Sequence, residues 1–154
     1  MRLAGYAALF DVPDAARDSI RPGAFAATLA DRSEPLPLLW QHRPSQRIGW
    51  VELACEDDRG LRVIAWIDGA TRAATMLAER GVSGLSFGYR ARDFRLTPAG
   101  RELRAVDLFE VSLVTHPLQH GARVHFVSSP TGGGGPPEGW WRATGRKCTL
   151  ARSS

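Results

Sequence analysis

The chain has 154 residues, a size that suits one domain with a real core and one active site and falls short of a two-domain enzyme. Its hydrophobic and charged fractions, 44% and 23%, are those of a soluble globular protein, and no window approaches the roughly 18 apolar residues of a membrane helix, so no membrane role is expected. Of the net charge of +4, the segment from Thr131 onward holds +3, as Arg142, Arg146, Lys147 and Arg152 against Glu138; the remainder has no basic stripe with interleaved aromatics, and nucleic-acid binding is not expected.

Taken in chain order, Leu3–Phe10 reads as a first strand, since the apolar run reaches Asp11 too soon for a signal-peptide core. DVPDAARD is a turn-rich loop, and Pro22–Arg32 a short helix with proline at its start. Leu36–His42, Ile48–Glu56 and Gly60–Ile67 are strands rich in branched and aromatic residues, the last two joined across DDRG as a hairpin. Ala70–Arg80 reads as a second helix closed by Gly81. Gly84–Leu96 and Arg101–Thr115 form a long hairpin across the turn TPAG, and ARVHFV is a last short strand. This order does not alternate as βαβ units would. The expected fold is mainly β with helices (α+β), a small β-barrel flanked by helices. Residues 1–130 form the domain, and 131–154, rich in glycine and proline, is expected to be a disordered tail, either a partner-binding or cleavable segment or an unselected extension. Cys55 and Cys148 lie in no metal-ligand spacing and suggest neither zinc nor a disulfide framework, which fits a reducing, cytoplasmic setting.

The stretch GLSFGYR contains Gly84-x-Ser86-x-Gly88, the spacing that flanks a nucleophilic serine in many hydrolases; the same small residues also suit the tight start of a strand. In α/β-hydrolases that serine sits at a strand-to-helix elbow. Here FGYRARDF alternates as a strand after Ser86, which excludes that geometry. A serine hydroxyl needs an imidazole to take its proton, and the candidates are His42, His116, His120 and His125. His42 ends the apolar LPLLWQH beside the turn residues RPSQR, packed on its strand side and open on its loop side as a general base requires, although lone histidines are also common at strand ends. His116, between a strand and Pro117, carries the same ambiguity. Glu110 lies in the otherwise apolar DLFEVSLVT, where a buried carboxylate demands a partner. Simple alternation puts Phe109, Val111 and Leu113 on one side and Glu110, Ser112 and Val114 on the other, either in solvent or on a face shared with Ser86.

Together, GYAALF, IRPGAF before a helix, Gln41-His42 followed by Ile48-Gly49, GL opening a strand, a helix before GLSFGY, and FEVSLVTHP resemble in order and spacing the prohead, or capsid-maturation, serine proteases of tailed bacteriophages. That family is grouped in fold with the herpesvirus assemblins, and the resemblance runs through most of residues 1–126. It implies a herpesvirus-protease-like fold, with His42 as general base, Ser86 as nucleophile and Glu110 as third member. Assemblin-like enzymes use a second histidine as third member, which keeps His116 as the alternative. The resemblance further implies a serine endopeptidase needing no metal or cofactor. Its substrate would be the scaffolding segment of the major capsid protein, inside an assembling procapsid of a phage or phage-derived particle in the host cytoplasm. Self-cleavage and a homo-oligomer both fit the resemblance without being written in the sequence. Two other classes stand beside it: a non-catalytic capsid-assembly or scaffolding protein of the same fold, and an esterase of unrelated barrel fold.

Overall fold

A computed structural model of the protein describes residues 1–69 and 71–128, and the backbone of 148–150. The elements are β1 (Arg2–Leu9), β2 (Asp18–Ile20), α1 (Ala26–Ala30), β3 (Pro37–Trp40), β4 (Arg43–Glu56), β5 (Gly60–Ile67), α2 (Arg72–Ala78), β6 (Gly84–Thr97), β7 (Gly100–Val114), β8 (Val124–Ser128) and β9 (Cys148–Leu150). The strands follow the path β2-β7-β3-β4-β5-β1-β8, with β6 also on β7 and β9 on β4.

The fold is mainly β with few helices, as the sequence implies. The strand ladders do not close into a barrel, however: the start of β6 meets the segment before β8 through one bridge, Gly84–Arg123. Two backbone hydrogen bonds flank it, Leu85 N–H to the Ala122 carbonyl at 2.9 Å and Val124 N–H to that of Ser83 at 2.8 Å. The curled sheet wraps a core that takes Leu3 from β1, Leu38 from β3, Leu61 and Val63 from β5, Leu85 and Phe87 from β6, and Val111 and Leu113 from β7. Phe25, fully buried just before α1, packs edge-on against Phe87 with ring centroids 5.3 Å apart, and Phe87 stacks on Tyr89 at 4.9 Å. Each such side chain contributes about 1.5–3 kcal/mol by leaving water.

Four departures from the expected elements have local causes. Between the expected loop and the expected helix, β2 forms as a three-residue parallel strand on β7, after a turn in which the Asp14 carboxylate accepts the N–H groups of Ala16 and Asp18. The expected helix at Pro22–Arg32 contracts to Ala26–Ala30, because Gly23 and Phe25 donate their N–H groups to Glu56 Oε1 instead of entering a helix. α2 starts where the Thr71 hydroxyl accepts the Ala74 N–H. Finally, RPSQR is not a turn but the start of β4, the turn being Gln41-His42 itself. The expected loose segment 131–154 lies outside the described residues except for the β9 backbone, which pairs antiparallel with Leu53–Cys55. Cys55, fully buried, is disulfide-bonded. That corrects the expectation from cysteine spacing and removes its argument for a reducing setting.

The long β6–β7 hairpin is tied to β2 by Asp18, which is 5% exposed and accepts from Arg101 Nε at 2.9 Å, Arg101 Nη2 at 2.8 Å and the Tyr89 hydroxyl at 2.9 Å. The Arg101 guanidinium holds the Asp18 carboxyl below its ordinary 3.8, and burial with the Asp18 bond pushes Tyr89 up to about 12. Asp18 therefore contributes stability that is fully present above its unfolded-state pKa and lost as pH falls through the depressed folded value. Asp18→Asn is expected to lower stability by about 2 kcal/mol at neutral pH. Denaturant melts of the two chains should converge as the pH drops below 3.8, and a constant difference across that range would refute the linkage.

Candidate active site

The site is built on the pairing of β6 with β7. Leu85 faces Leu113, Ser86 faces Ser112, Phe87 faces Val111 and Gly88 faces Glu110. Directly opposed residues on antiparallel strands share a face. Leu85, Phe87, Val111 and Leu113 line the core, so Ser86, Gly88, Glu110 and Ser112 form a block on the other face. The alternation of β7 fails at Phe109, which occupies a bulge between the Gly88–Glu110 and Tyr89–Leu108 pairs and is 53% exposed. It does not join Val111 and Leu113 in the core, as simple alternation would have it.

On the far side of β7, β3 pairs in parallel, with Leu39 beside Ser112 and Trp40 beside Leu113. Trp40 and Arg43 then flank the two-residue turn of Gln41 and His42, whose φ values are 52° and 58°. Two left-handed residues are what this tightest of hairpin turns requires, and glycine or asparagine usually supplies them. Here both carry long side chains, at a strain of about 1–3 kcal/mol each. Four hydrogen bonds to β7 and its end offset it. Gln41 N–H reaches the Leu113 carbonyl at 3.1 Å, and His42 N–H reaches Ser112 Oγ at 3.2 Å. Gln41 Nε2 donates to Thr115 Oγ1 at 3.2 Å, and Thr115 N–H donates to Gln41 Oε1 at 3.4 Å.

The turn delivers His42 over the polar block, with Nδ1 at 2.5 Å from Glu110 Oε1. The other carboxylate oxygen, Oε2, accepts from the Ser112 hydroxyl at 2.6 Å. The protons can be followed. Ser112 Oγ accepts the His42 amide, so its own hydrogen goes to Glu110; with Glu110 as acceptor at both oxygens, the tautomer that satisfies the contact carries its proton on Nδ1 and leaves Nε2 as the acceptor. Glu110 is 8% exposed, whereas the His42 side chain is 41% exposed, which leaves the imidazole reachable from solvent. Ser86, 5% exposed, lies across from Ser112 on the same face.

The glycines of GLSFG serve close approach within a continuing strand. A Cβ at Gly84 would stand 2.5 Å from the Val114 carbonyl oxygen, and one at Gly88 would stand 2.5 Å from Glu110 Oε1. His116 is exposed after β7, with no hydrogen bond to His42 among the described residues. His120 contacts Arg123, and His125 packs edge-on to Tyr6, where burial pushes its pKa down. Among the described residues no group of three or more His, Cys, Asp or Glu could hold a metal ion. Sequence reasoning did not single out Gln41, Ser112 or Thr115 as parts of this arrangement. The signal was the short spacing Glu110-x-Ser112, read against Ser86-x-Gly88.

The family model described as caudovirus prohead serine protease matches residues 1–131. The chain belongs to that family. Among its relatives, the prohead protease of Enterobacteria phage HK97 is 28% identical over 136 residues, covering 83% of this chain and 60% of that protein. The capsid polyprotein of Pseudomonas phage PAJU2 is 30% identical over 129 residues, covering 76% of this chain and 19% of the relative. The chain thus spans less than two thirds of either relative's length. In fold it resembles KSHV protease, solved with a hexapeptide phosphonate inhibitor, at a TM-score of 0.56 and 17% identity over 80% of this chain and 63% of that one. The protease of varicella-zoster virus gives 0.55 and 18% over 80% and 62%. These likenesses establish a herpesvirus-protease-like fold for this member of the prohead protease family.

The strained turn gives a direct test. Gln41→Val puts a β-branched residue at positive φ and removes both side-chain bonds to Thr115, and should lower unfolding free energy by about 1–3 kcal/mol. Gln41→Gly, which relieves the strain while losing the same bonds, should cost clearly less in the same denaturant titration.

Proposed function

We propose that the chain is a serine endopeptidase that cleaves a capsid or scaffold protein during prohead maturation, with Ser86 as nucleophile, His42 as general base and Glu110 as third member. The observation that carries this reading is the contact of His42 Nδ1 with Glu110 Oε1 at 2.5 Å, on the face of β6 and β7 that also holds Ser86. Membership of the prohead serine protease family supports the reaction class. The names of the two phage relatives, prohead protease and capsid polyprotein, support the substrate class. The reading extends to an assembling procapsid in the host cytoplasm as the place of action, with self-cleavage and a homo-oligomeric state as further parts.

The chemistry is acyl transfer on a peptide. As Ser86 Oγ attacks the scissile carbonyl carbon, its proton passes to His42 Nε2, and the carbonyl oxygen becomes the oxyanion of a tetrahedral intermediate. Collapse breaks the C–N bond, and Nε2 returns the proton to the leaving amine. The Ser86 ester that remains is then attacked by water, whose proton goes to Nε2 and back to Ser86 Oγ as the new carboxyl terminus departs. Throughout, Glu110 keeps Nδ1 protonated and stabilises the imidazolium formed in each half-reaction; it does not take the proton itself. His42 Nε2 relays every proton transfer in this sequence.

Ser86→Ala is expected to abolish cleavage of the purified capsid precursor and labelling by a fluorophosphonate probe, with the melting temperature little changed. Glu110→Gln should reduce turnover by about 10⁴-fold, the scale seen when an orienting acid is made neutral, whereas His116→Ala should cost far less. Undiminished processing by Ser86→Ala would refute the nucleophile. A larger loss in His116→Ala than in Glu110→Gln, measured on one substrate at one pH, would transfer the third role to His116.

A further inference from the structure

Ser112 is a fully buried hydroxyl that takes no part in the proton transfers above, yet its donor and its acceptor are both committed. It accepts the His42 backbone N–H at 3.2 Å and donates to Glu110 Oε2 at 2.6 Å. Since Glu110 Oε1 holds His42 Nδ1 at 2.5 Å, the three contacts close a ring that runs from the His42 backbone through Ser112 and the carboxylate to the His42 imidazole. A glutamate's terminal torsion is otherwise broad and loosely two-fold. The Ser112 bond removes that freedom by fixing one oxygen, so that the other can only be aimed at Nδ1. It also anchors the backbone and the ring of His42 to the same strand, two residues apart.

The facing strand makes the complementary contribution. Gly88 lies opposite Glu110, and a Cβ built on it would stand 2.5 Å from Oε1, 2.9 Å from Cγ and 3.0 Å from Cδ of that glutamate. The carboxylate lies directly over the Gly88 backbone, so any side chain there must displace it from His42. A far end of a free glutamate could swing aside, but this one is held at both oxygens. The geometry points to Ser112 and Gly88 as the positioning residues of the third member: Ser112 fixes the rotation of the Glu110 carboxylate, and Gly88 provides the space in which it lies. This inference rests on the reading of His42 and Glu110 as base and orienting acid.

The test uses Ser112→Ala and Gly88→Ala in the full chain, assayed on a fluorogenic peptide selected from a library with the unmodified protein. Each should lower kcat by about 10²-fold, the scale of a misplaced catalytic group, at nearly unchanged KM. In a Glu110→Gln background, Ser112→Ala should add no further loss, because its whole effect runs through that carboxylate. A second readout needs no turnover. In the Ser86→Ala chain, the strongly deshielded, exchange-protected Nδ1 proton of His42 should be visible by NMR, and should vanish on adding Ser112→Ala while the core methyl resonances stay in place; it does so even if Gly88→Ala fails to fold. Wild-type kcat in Ser112→Ala, an equal loss with and without Glu110, or an Nδ1 proton indifferent to Ser112 would each overturn the assignment. Failure of the protease reading is distinguishable, since it would appear as a parent chain that cleaves nothing, with the NMR comparison still informative.

Discussion

The register between β6 and β7 is the constraint on which the site depends. Side chains alternate with a period of two, so a slip of β6 by one residue against β7 would turn Ser86 into the core, bring Leu85 and Phe87 out, and leave Ser86 on the face opposite Glu110. The packing of Leu85, Phe87, Val111 and Leu113 therefore fixes the polar block as firmly as any contact within it. Register is specified from one side of the sheet and used on the other. The bulge at Phe109 takes up the mismatch between this segment and the rest of the hairpin, which lets the arms beyond it pair independently of the demands of the site.

A buried carboxylate is costly without partners, and removing one member of a buried pair is worse than never having built it. Glu110 meets that cost with a bond at each oxygen. The turn that carries His42 is strained at two consecutive residues, and its relief comes from β7 and the residue after it, through Ser112, Leu113 and Thr115. Local instability and the placement of His42 are joined here: the bonds that hold the backbone in the left-handed region set the turn beside Glu110, which holds the imidazole.

What the sequence disclosed follows the range of the forces involved. β1, β5 and the β6–β7 hairpin were legible because alternation and the TPAG turn are local signals, and the Thr71 cap opens α2 close to where the pattern puts it. β2 was not, because three residues between polar neighbours become a strand only when β7 lies alongside. The Gln41-His42 turn was hidden because neither residue is a usual turn former, and its support comes from residues some seventy positions away, as in the His42–Ser112 bond with a separation of 70. The sequence made His42, Ser86 and Glu110 candidates through their surroundings and the family resemblance, and the contact of His42 with Glu110 is what the structure adds. The contacts of Ser112 and Gly88 with Glu110 emerge only when two strands are laid side by side.

The parallel pairing of β3 with β7 has a consequence in time. His42 and Glu110 are 68 residues apart, and β3 has no place on the sheet beside β7 until that later strand exists. Closing so long a loop is slow compared with forming a hairpin, and the ordering entropy must be met before the contacts can repay it. During synthesis, a chain not yet extended to Glu110 lacks the carboxylate, the Ser112 hydroxyl and the residues of β7 and Thr115 that hold the histidine turn. The order of translation alone thus keeps His42 and Glu110 apart until most of the family-matched segment, residues 1–131, has been made.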